Sequence, residues 1–389
     1  MRFPGFEEDW ERSSVEKNCL IKGRIGYRGY TTEDLVEKDK GALVLGGKHI
    51  KNQAIDLSEP TFLSWDKYYE SPEIMVEVGD IIFSQRGTLG DCAIIENEIG
   101  SATINPSMVL LKEITCNPKF LYYILIGDVI QNEVQKNKAL GAIPMLSQKQ
   151  IKAFSFLLPK NPNEQTKIAS FLSLIDERIQ TQIKIIEELK LLKNTLSKKI
   201  FSQQLKFKDG NGNDFSEWEV RKVGDVFTVT RGNVLAMNLL SNDYSEKMPF
   251  PVYSSQTKNK GLAGYYNDFL FENAITWTTD GANAGDVNYR SGKFYCTNVC
   301  GVLIDQDGYA NICIAELINS VSQNYVSYVG NPKLMNGVMS EIAIPFPSIQ
   351  EQEKISKLFL SISAKIDIET ELLQKLEEQK KYLLANMFI

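Results

Sequence analysis

The sequence predicts an α+β chain in which two globular domains alternate with two long helices that pair as an antiparallel coiled coil, the whole forming a pseudo-two-fold internal repeat. Three observations carry that prediction. Residues 164–201 and 351–388 align without a gap at a constant offset of 187. Both copies place apolar residues at alternating spacings of four and three, the mark of a helical seam. The stretch before each copy mixes short apolar runs with Gly, Asn and Ser turns, the mark of strands and loops.

The elements follow in chain order. Residues 1–150 form a first globule, with a strand expected at Asp80–Phe83 and a helix at Pro118–Lys136. Residues 151–207 hold a proline-led entry, LLPKNPN, and the first helix. Proline is tolerated just before a helix and disfavoured inside one. The first seam is Ile168, Leu172, Ile175, Ile179, Gln182, Ile186, Leu189, Lys193, Leu196 and Ile200. Residues 208–340 form a second globule, with strands expected at Ala274–Thr278 and Gly301–Ile304. Residues 341–389 hold IPFPSIQ and the second helix. Its seam is Ile355, Phe359, Ile362, Ile366, Glu369, Leu373, Leu376, Lys380, Leu383 and Met387. The two polar breaks fall at the same rungs in both. A 33-residue seam is longer than a small domain needs, which favours mutual pairing. At 1.5 Å per residue it spans ~50 Å.

The globules correspond more loosely. Asp9-Trp10-Glu11 matches Glu217-Trp218-Glu219. Arg86–Asp91 matches Asp280–Asp286 with one extra residue. Asn105 matches Asn298, and Pro144 and Leu146 match Pro332 and Leu334. Alike helices with diverged globules suggest one scaffold carrying two different readers.

The inventory excludes much chemistry. The 389 residues carry a net charge of −6, with 43% hydrophobic and 24% charged residues, which is ordinary for a globular protein. No apolar run approaches the ~18–20 residues that cross a bilayer. The acidic start, MRFPGFEEDW, and six irregularly spaced cysteines point to a cytoplasmic setting. The single histidine, His49, removes histidine-rich metal sites. Gly41–His49 misses the P-loop spacing by one residue. Cys296 and Cys300 lie on one strand face with no further ligands nearby and are read as buried strand cysteines. Asp209–Asp214 imitates an EF-hand start but lacks its glycine and its bidentate glutamate. Glu188-Leu189-Lys190 falls in a helix, and Asn105-Pro106-Ser107-Met108 lacks the rest of an amino-methyltransferase motif. The chain is therefore expected to bind no metal and to hold no catalytic centre.

The Pro-rich entry followed by Glu-Gln and a long helix, occurring twice, and the Trp-containing start of each globule resemble the specificity subunit of Type I restriction-modification enzymes, over essentially the whole chain. VYSSQTKNKGLAGYYN and ITWTTDGANAGDVNYRSGKFYCTNVCGVLI look like one branch of that family's target recognition domains, and GRIGYRGYTTEDL and GDIIFSQRGTLGD like another. The resemblance implies that each globule reads one half of an asymmetric bipartite site in double-stranded DNA, while the helices set the unread spacer. It implies two methyltransferase subunits docked on the scaffold, with S-adenosylmethionine for adenine-N6 chemistry. It also implies restriction subunits with ATP and Mg, all these cofactors lying on partners in a bacterial defence system. The ~50 Å helix compares with one and a half turns of B-DNA at ~34 Å each.

Base reading needs Arg, Lys, Asn, Gln or Thr at groove edges, and phosphates need cations or free N–H groups. The candidates in the first globule are Arg24, Tyr27 and Arg28, set among glycines, with Lys48, His49, Arg86 and Thr88. In the second they are Arg231 and Asn233, then Gln256, Thr257, Lys258, Asn259 and Lys260, then Thr278 and Thr279. Trp277 is read as core. Divided by segment, the charge is −6 over residues 1–145, +7 over 146–208, −5 over 209–340 and −2 over 341–389. The basic strip is the first helix, which faces either DNA backbone or acidic partner surfaces. Two other readings remain open here. One is a two-globule scaffold unrelated to DNA; the other is a fused restriction and methylation enzyme, against which the missing motifs count.

Overall fold

The computed structural model describes residues 2–138, 144–255, 259–305 and 307–388. The chain divides into two compact units: Met1–Ile183 with Leu372–Ile389, and Lys184–Glu371. Each unit therefore holds one globule and part of both long helices.

In the first unit, four antiparallel strands run in the order Leu20–Lys22, Met108–Lys112, Ile81–Ser84, Cys92–Ile94. The central two are apolar over residues 81–83 and 108–111 because both faces are covered there. Ile81, Phe83, Val109 and Leu111 join the helix Pro118–Ile126 in one core, whereas Ile82, Met108 and Leu110 join Leu43, Leu45 and Ile104 in another. That split follows from the period of two in a strand. The second core lies under a sheet ordered Ala102–Ile104, Gly41–Leu45, Phe62–Ser64, Leu35–Val36. The helix expected at Pro118–Lys136 is two helices, Pro118–Ile126 and Asp128–Lys138, because Gly127 between them is extended (φ −77°, ψ 161°).

The second unit carries a six-stranded sheet ordered Thr228–Arg231, Cys300–Ile304, Phe271–Thr278, Val287–Cys296, Phe250–Tyr253, Leu262–Tyr266. Its faces separate in the same way. Ile275, Trp277, Val287 and Leu303 pack toward the helix Ile312–Ser322, and Ala274, Phe294, Cys296, Cys300 and Val302 pack on the opposite side. Trp277 is core as expected: it is 1% exposed and its indole N–H donates to the Leu334 carbonyl at 3.0 Å. Cys296 and Cys300 are buried free thiols.

The long helices run Pro162–Phe201 and Ile349–Met387. All twenty seam positions are buried or half-buried. In the first unit Ile168, Leu172, Ile175 and Ile179 share a core with Leu383 and Met387, and Asp176 pairs with Lys380 at 2.7 Å. In the second, Ile200 shares a core with Ile355 and Phe359, and the rings of Phe201 and Phe359 lie 5.9 Å apart. The start of one helix thus meets the end of the other in each unit, which makes the pairing antiparallel. The polar rungs have partners: Lys380 also reaches Gln53 at 3.1 Å, and its repeat equivalent Lys193 pairs with Glu316.

The same joint fastens each globule to its helix. The Trp10 indole N–H donates to Glu164 at 3.1 Å, and that of Trp218 to Glu351 at 2.8 Å. Gln165 and Gln352 each donate to a proline carbonyl, Pro159 or Pro347, at 2.8 Å. Each also accepts from an asparagine, Asn117 or Asn311, whose side chain caps a globule helix. The twofold Glu-Gln motif is therefore the carboxylate and amide of one joint used twice. Short antiparallel pairs repeat beside it: Glu11–Ser14 with Ser155–Leu158, and Glu219–Lys222 with Ala343–Phe346.

Candidate nucleic-acid interface

A turn in each globule carries two candidate residues, Arg86 and Thr88 in the first and Thr278 and Thr279 in the second, and the two turns share one backbone frame. In the first unit Ser84 N–H donates to Asp91 O at 2.8 Å, Gly90 N–H to Ser84 O at 3.1 Å, and Asp91 N–H to Thr88 O at 3.1 Å. In the second, Thr278 N–H donates to Asp286 O at 3.0 Å, Gly285 N–H to Thr278 O at 2.9 Å, and Asp286 N–H to Asn283 O at 3.0 Å. Gly90 (φ +86°) and Gly285 (φ +92°) occupy the left-handed region that favours glycine. Leu146 N–H donates to Gln85 O and Leu334 N–H to Thr279 O, which fixes the correspondence of those leucines. The second turn holds the one extra residue that the alignment required.

The side chains on this common frame differ. The first turn exposes Arg86 and Thr88, and Gly47 lies against Thr88, so the loop carrying exposed Lys48 adjoins it. The second has Asp280 and Asn283 in the corresponding places. Gly232 N–H and Asn233 N–H donate to the carbonyls of Cys300 and Cys296, each at 3.1 Å, which seats exposed Asn233 and half-buried Arg231 on the hairpin end beside that turn. Lys260 and Thr278 line one cleft there, and exposed Asn259 precedes Lys260.

Other candidates are placed differently. Arg24 is 9% exposed, so it is not free to fork onto a guanine. Its guanidinium donates to Thr103 Oγ1 at 3.1 Å, to Ile104 O at 3.3 Å and to Arg28 O at 3.4 Å, and lies over the Tyr30 ring. Arg28 is half-buried and pairs with Glu73 at 3.5 Å. His49 is 3% exposed; Nδ1 accepts from Gly46 N–H at 3.0 Å and Nε2 faces the Glu59 carbonyl at 3.2 Å. Nε2 therefore carries the proton, and burial pushes the ring's pKa down. Thr279 is buried and bonds Val299 O and Asp280. These residues shape the loops instead of presenting a surface. Gln256, Thr257, Lys258 and the Tyr27 side chain lie outside the described residues.

A residue absent from the sequence-based candidates does in the second unit what Arg24 does in the first. Arg290 is 9% exposed, lies 3.7 Å over the Tyr253 ring, and donates to Thr276 Oγ1 at 3.1 Å and Lys260 O at 2.7 Å. In both units a buried arginine stacks on a tyrosine, bonds a strand threonine and holds the carbonyl of a loop bearing candidate contacts. No spacing in the sequence links Arg24 to Arg290, so only the folded chain reveals the parallel. Among the described residues no group of His, Cys, Asp and Glu could hold a metal, and no helix is long and apolar enough to cross a membrane.

Comparison with known proteins agrees with this repeated layout. A family profile described as the Type I restriction modification DNA specificity domain matches residues 30–191 and 215–378. A putative type I specificity subunit N-terminus of Mycoplasma pneumoniae is 40% identical over 140 residues, covering 35% of this chain and 73% of that protein. The Type I restriction enzyme MpnII specificity subunit of the same organism is 35% identical over 149 residues, 37% of this chain and 43% of that one. A putative type I restriction enzyme MjaX specificity subunit of Methanocaldococcus jannaschii is 24% identical over 403 residues, 97% and 92% of the two chains. The crystal structure of an S subunit from M. genitalium superposes with a TM-score of 0.65 at 18% identity, covering 100% and 97% of the two chains.

Proposed function

The chain belongs to the Type I restriction-modification DNA specificity family, and on that premise we propose that it supplies sequence recognition to a multisubunit complex without catalysing the reaction itself. Each globule reads one half of an asymmetric bipartite site in double-stranded DNA. The paired helices set the spacer and dock two methyltransferase subunits. Those partners, and restriction subunits where present, carry S-adenosylmethionine, ATP and Mg, and the complex works in the cytoplasm. The readers are taken as residues 1–150 and 208–340, and the helical scaffold as 151–207 and 341–389.

One observation carries this reading. The two units repeat the same turn, with matching backbone hydrogen bonds at its two ends, and place Arg86 and Thr88 on one copy where Asp280 and Asn283 stand on the other. A fixed frame with exchanged polar side chains is what two readers of different bases require, because bases are distinguished by donor and acceptor patterns. Exposed Lys48, Arg86, Asn233 and Asn259 are the surface contacts, while Arg24, His49, Thr279 and Arg290 hold them in place.

A reader exchange tests the proposal. Residues 218–340 are replaced by the equivalent reader of a relative, and methylated adenines are mapped after co-expression with the methyltransferase partner. One half of the recognised sequence should change and the other stay. Change in both halves would contradict separate readers.

A further inference from the structure

We propose that the cleft at the reading turn of the second unit receives the amino-bearing edge of one DNA base, adenine or cytosine, with Asp286 accepting from the exocyclic amine. This rests on the reading above and names what that part of the site recognises.

The cleft has a volume of about 160 Å³, and Ser254, Thr278, Asn283, Asp286 and Asn288 line it. Water takes roughly 30 Å³ per molecule, so the cleft has room for the edge of a base. None of these five side chains makes a hydrogen bond or ion pair within the described residues, although Thr278 is only 9% exposed. Thr278 is buried, Ser254, Asn283 and Asn288 are half-buried, and Asp286 is exposed; convergent unpartnered polar groups in a concave site mark a ligand.

Charge decides which ligand. Both cations at the cleft are engaged: Arg290 with Thr276, Lys260 O and Tyr253, and Lys260 with Asp367 at 2.9 Å. The carboxylate left over is Asp286, which is exposed, with partial desolvation pushing its pKa up. A phosphate would be repelled. An N–H donor with an acceptor beside it fits, since the neighbouring Asn283 and Asn288 amides can donate as well as accept. In the major groove adenine presents N6 beside N7, and cytosine presents N4. Guanine and thymine present O6 and O4 acceptors there, which a carboxylate disfavours. The equivalent turn of the first unit keeps a carboxylate, Asp91, in the place of Asp286 but differs beside it, because Thr88 Oγ1 is bonded to Ser84 Oγ at 3.4 Å where Asn283 is unpartnered, and exposed Arg86 stands in the place of Asp280.

The test uses the full chain co-expressed with its methyltransferase partner, with methylated-base mapping of the host genome. Asp286→Ala should relax one position in one half-site by roughly 5- to 150-fold, the discrimination of a good side-chain-to-base pair, and leave the other half unchanged. Asn288→Ala, which keeps the backbone carbonyl that accepts from Thr276 Oγ1, should weaken the same position. An unchanged sequence in both variants would overturn the proposal. So would loss of co-purification with the methyltransferase at an unchanged melting temperature, since the cleft would then hold a partner's cationic side chain. If the unaltered complex recognises no bipartite sequence, the parent reading fails, and that outcome is distinct from both.

Discussion

Arg24 shows how far a residue's role can lie from its sequence context. Two arginines and two tyrosines among three glycines look like a flexible contact loop, yet Arg24 is a buried anchor whose fork fastens Arg28 and the strand end at Thr103 and Ile104. Burial depends on strands some 80 residues away, so no local pattern encodes it. Arg290 plays the same part and gives a prediction. Arg290→Met should lower the unfolding free energy by about 1.5–3 kcal/mol, the worth of hydrogen bonds to a charged group, and blur the half-site read by the second unit. Arg290→Lys keeps the charge but loses the fork, so thermal melts and methylation maps should show it restoring only part of either property. His49 gives a second prediction. Its folded pKa lies below the unfolded value of about 6.5. Its contribution to stability is therefore full above that pH and is lost as the pH falls from there through the folded value, since protonating Nδ1 breaks its bond to Gly46 N–H. Chemical denaturation of the chain and of His49→Gln between pH 7.5 and 5 should show a smaller acid loss in the variant.

At the scale of the element, the helices were the most legible part of the sequence. A gapless repeat with a sustained seam needs no tertiary information, and all twenty seam positions proved buried or half-buried. What the periodicity could not show is why the polar rungs persist. Lys193 and Lys380 sit in the seam because each meets a carboxylate, Glu316 or Asp176. The helix predicted across Gly127 failed for the opposite reason, since its apolar pattern continues while the backbone turns extended. The Trp and Glu-Gln motifs were visible as words, and their joint only as structure. Trp218→Phe removes the donor facing Glu351, a carboxylate that burial already pushes toward its neutral form. The substitution should cost roughly 1–3 kcal/mol by leaving that group unsatisfied. Adding Glu351→Gln should recover part of the loss in a double-mutant cycle read by thermal melting. Additive losses would show that the two side chains do not act together.

For the molecule as a whole, the net charge of −6 was the least informative number and the repeat the most. Divided along the chain, the charge separates into acidic globules and a basic first helix, which fits a protein that meets DNA as one member of a complex. The alignment of Arg86–Asp91 with Asp280–Asp286 paired two turns of matching backbone, with the one extra residue it required in the second. The proposed contact residues Asn283 and Asp286 of the second turn, and Asn288 on the strand after it, escaped notice because polar residues beside a glycine turn look like solvent until a cleft gathers them. The central claim is one scaffold used twice with different readers. Mapping every methylated adenine in a host that carries this chain with its methyltransferase partner tests it most directly. Two unlike half-sites separated by a fixed unread spacer are the predicted result; a palindromic or continuous sequence would contradict it.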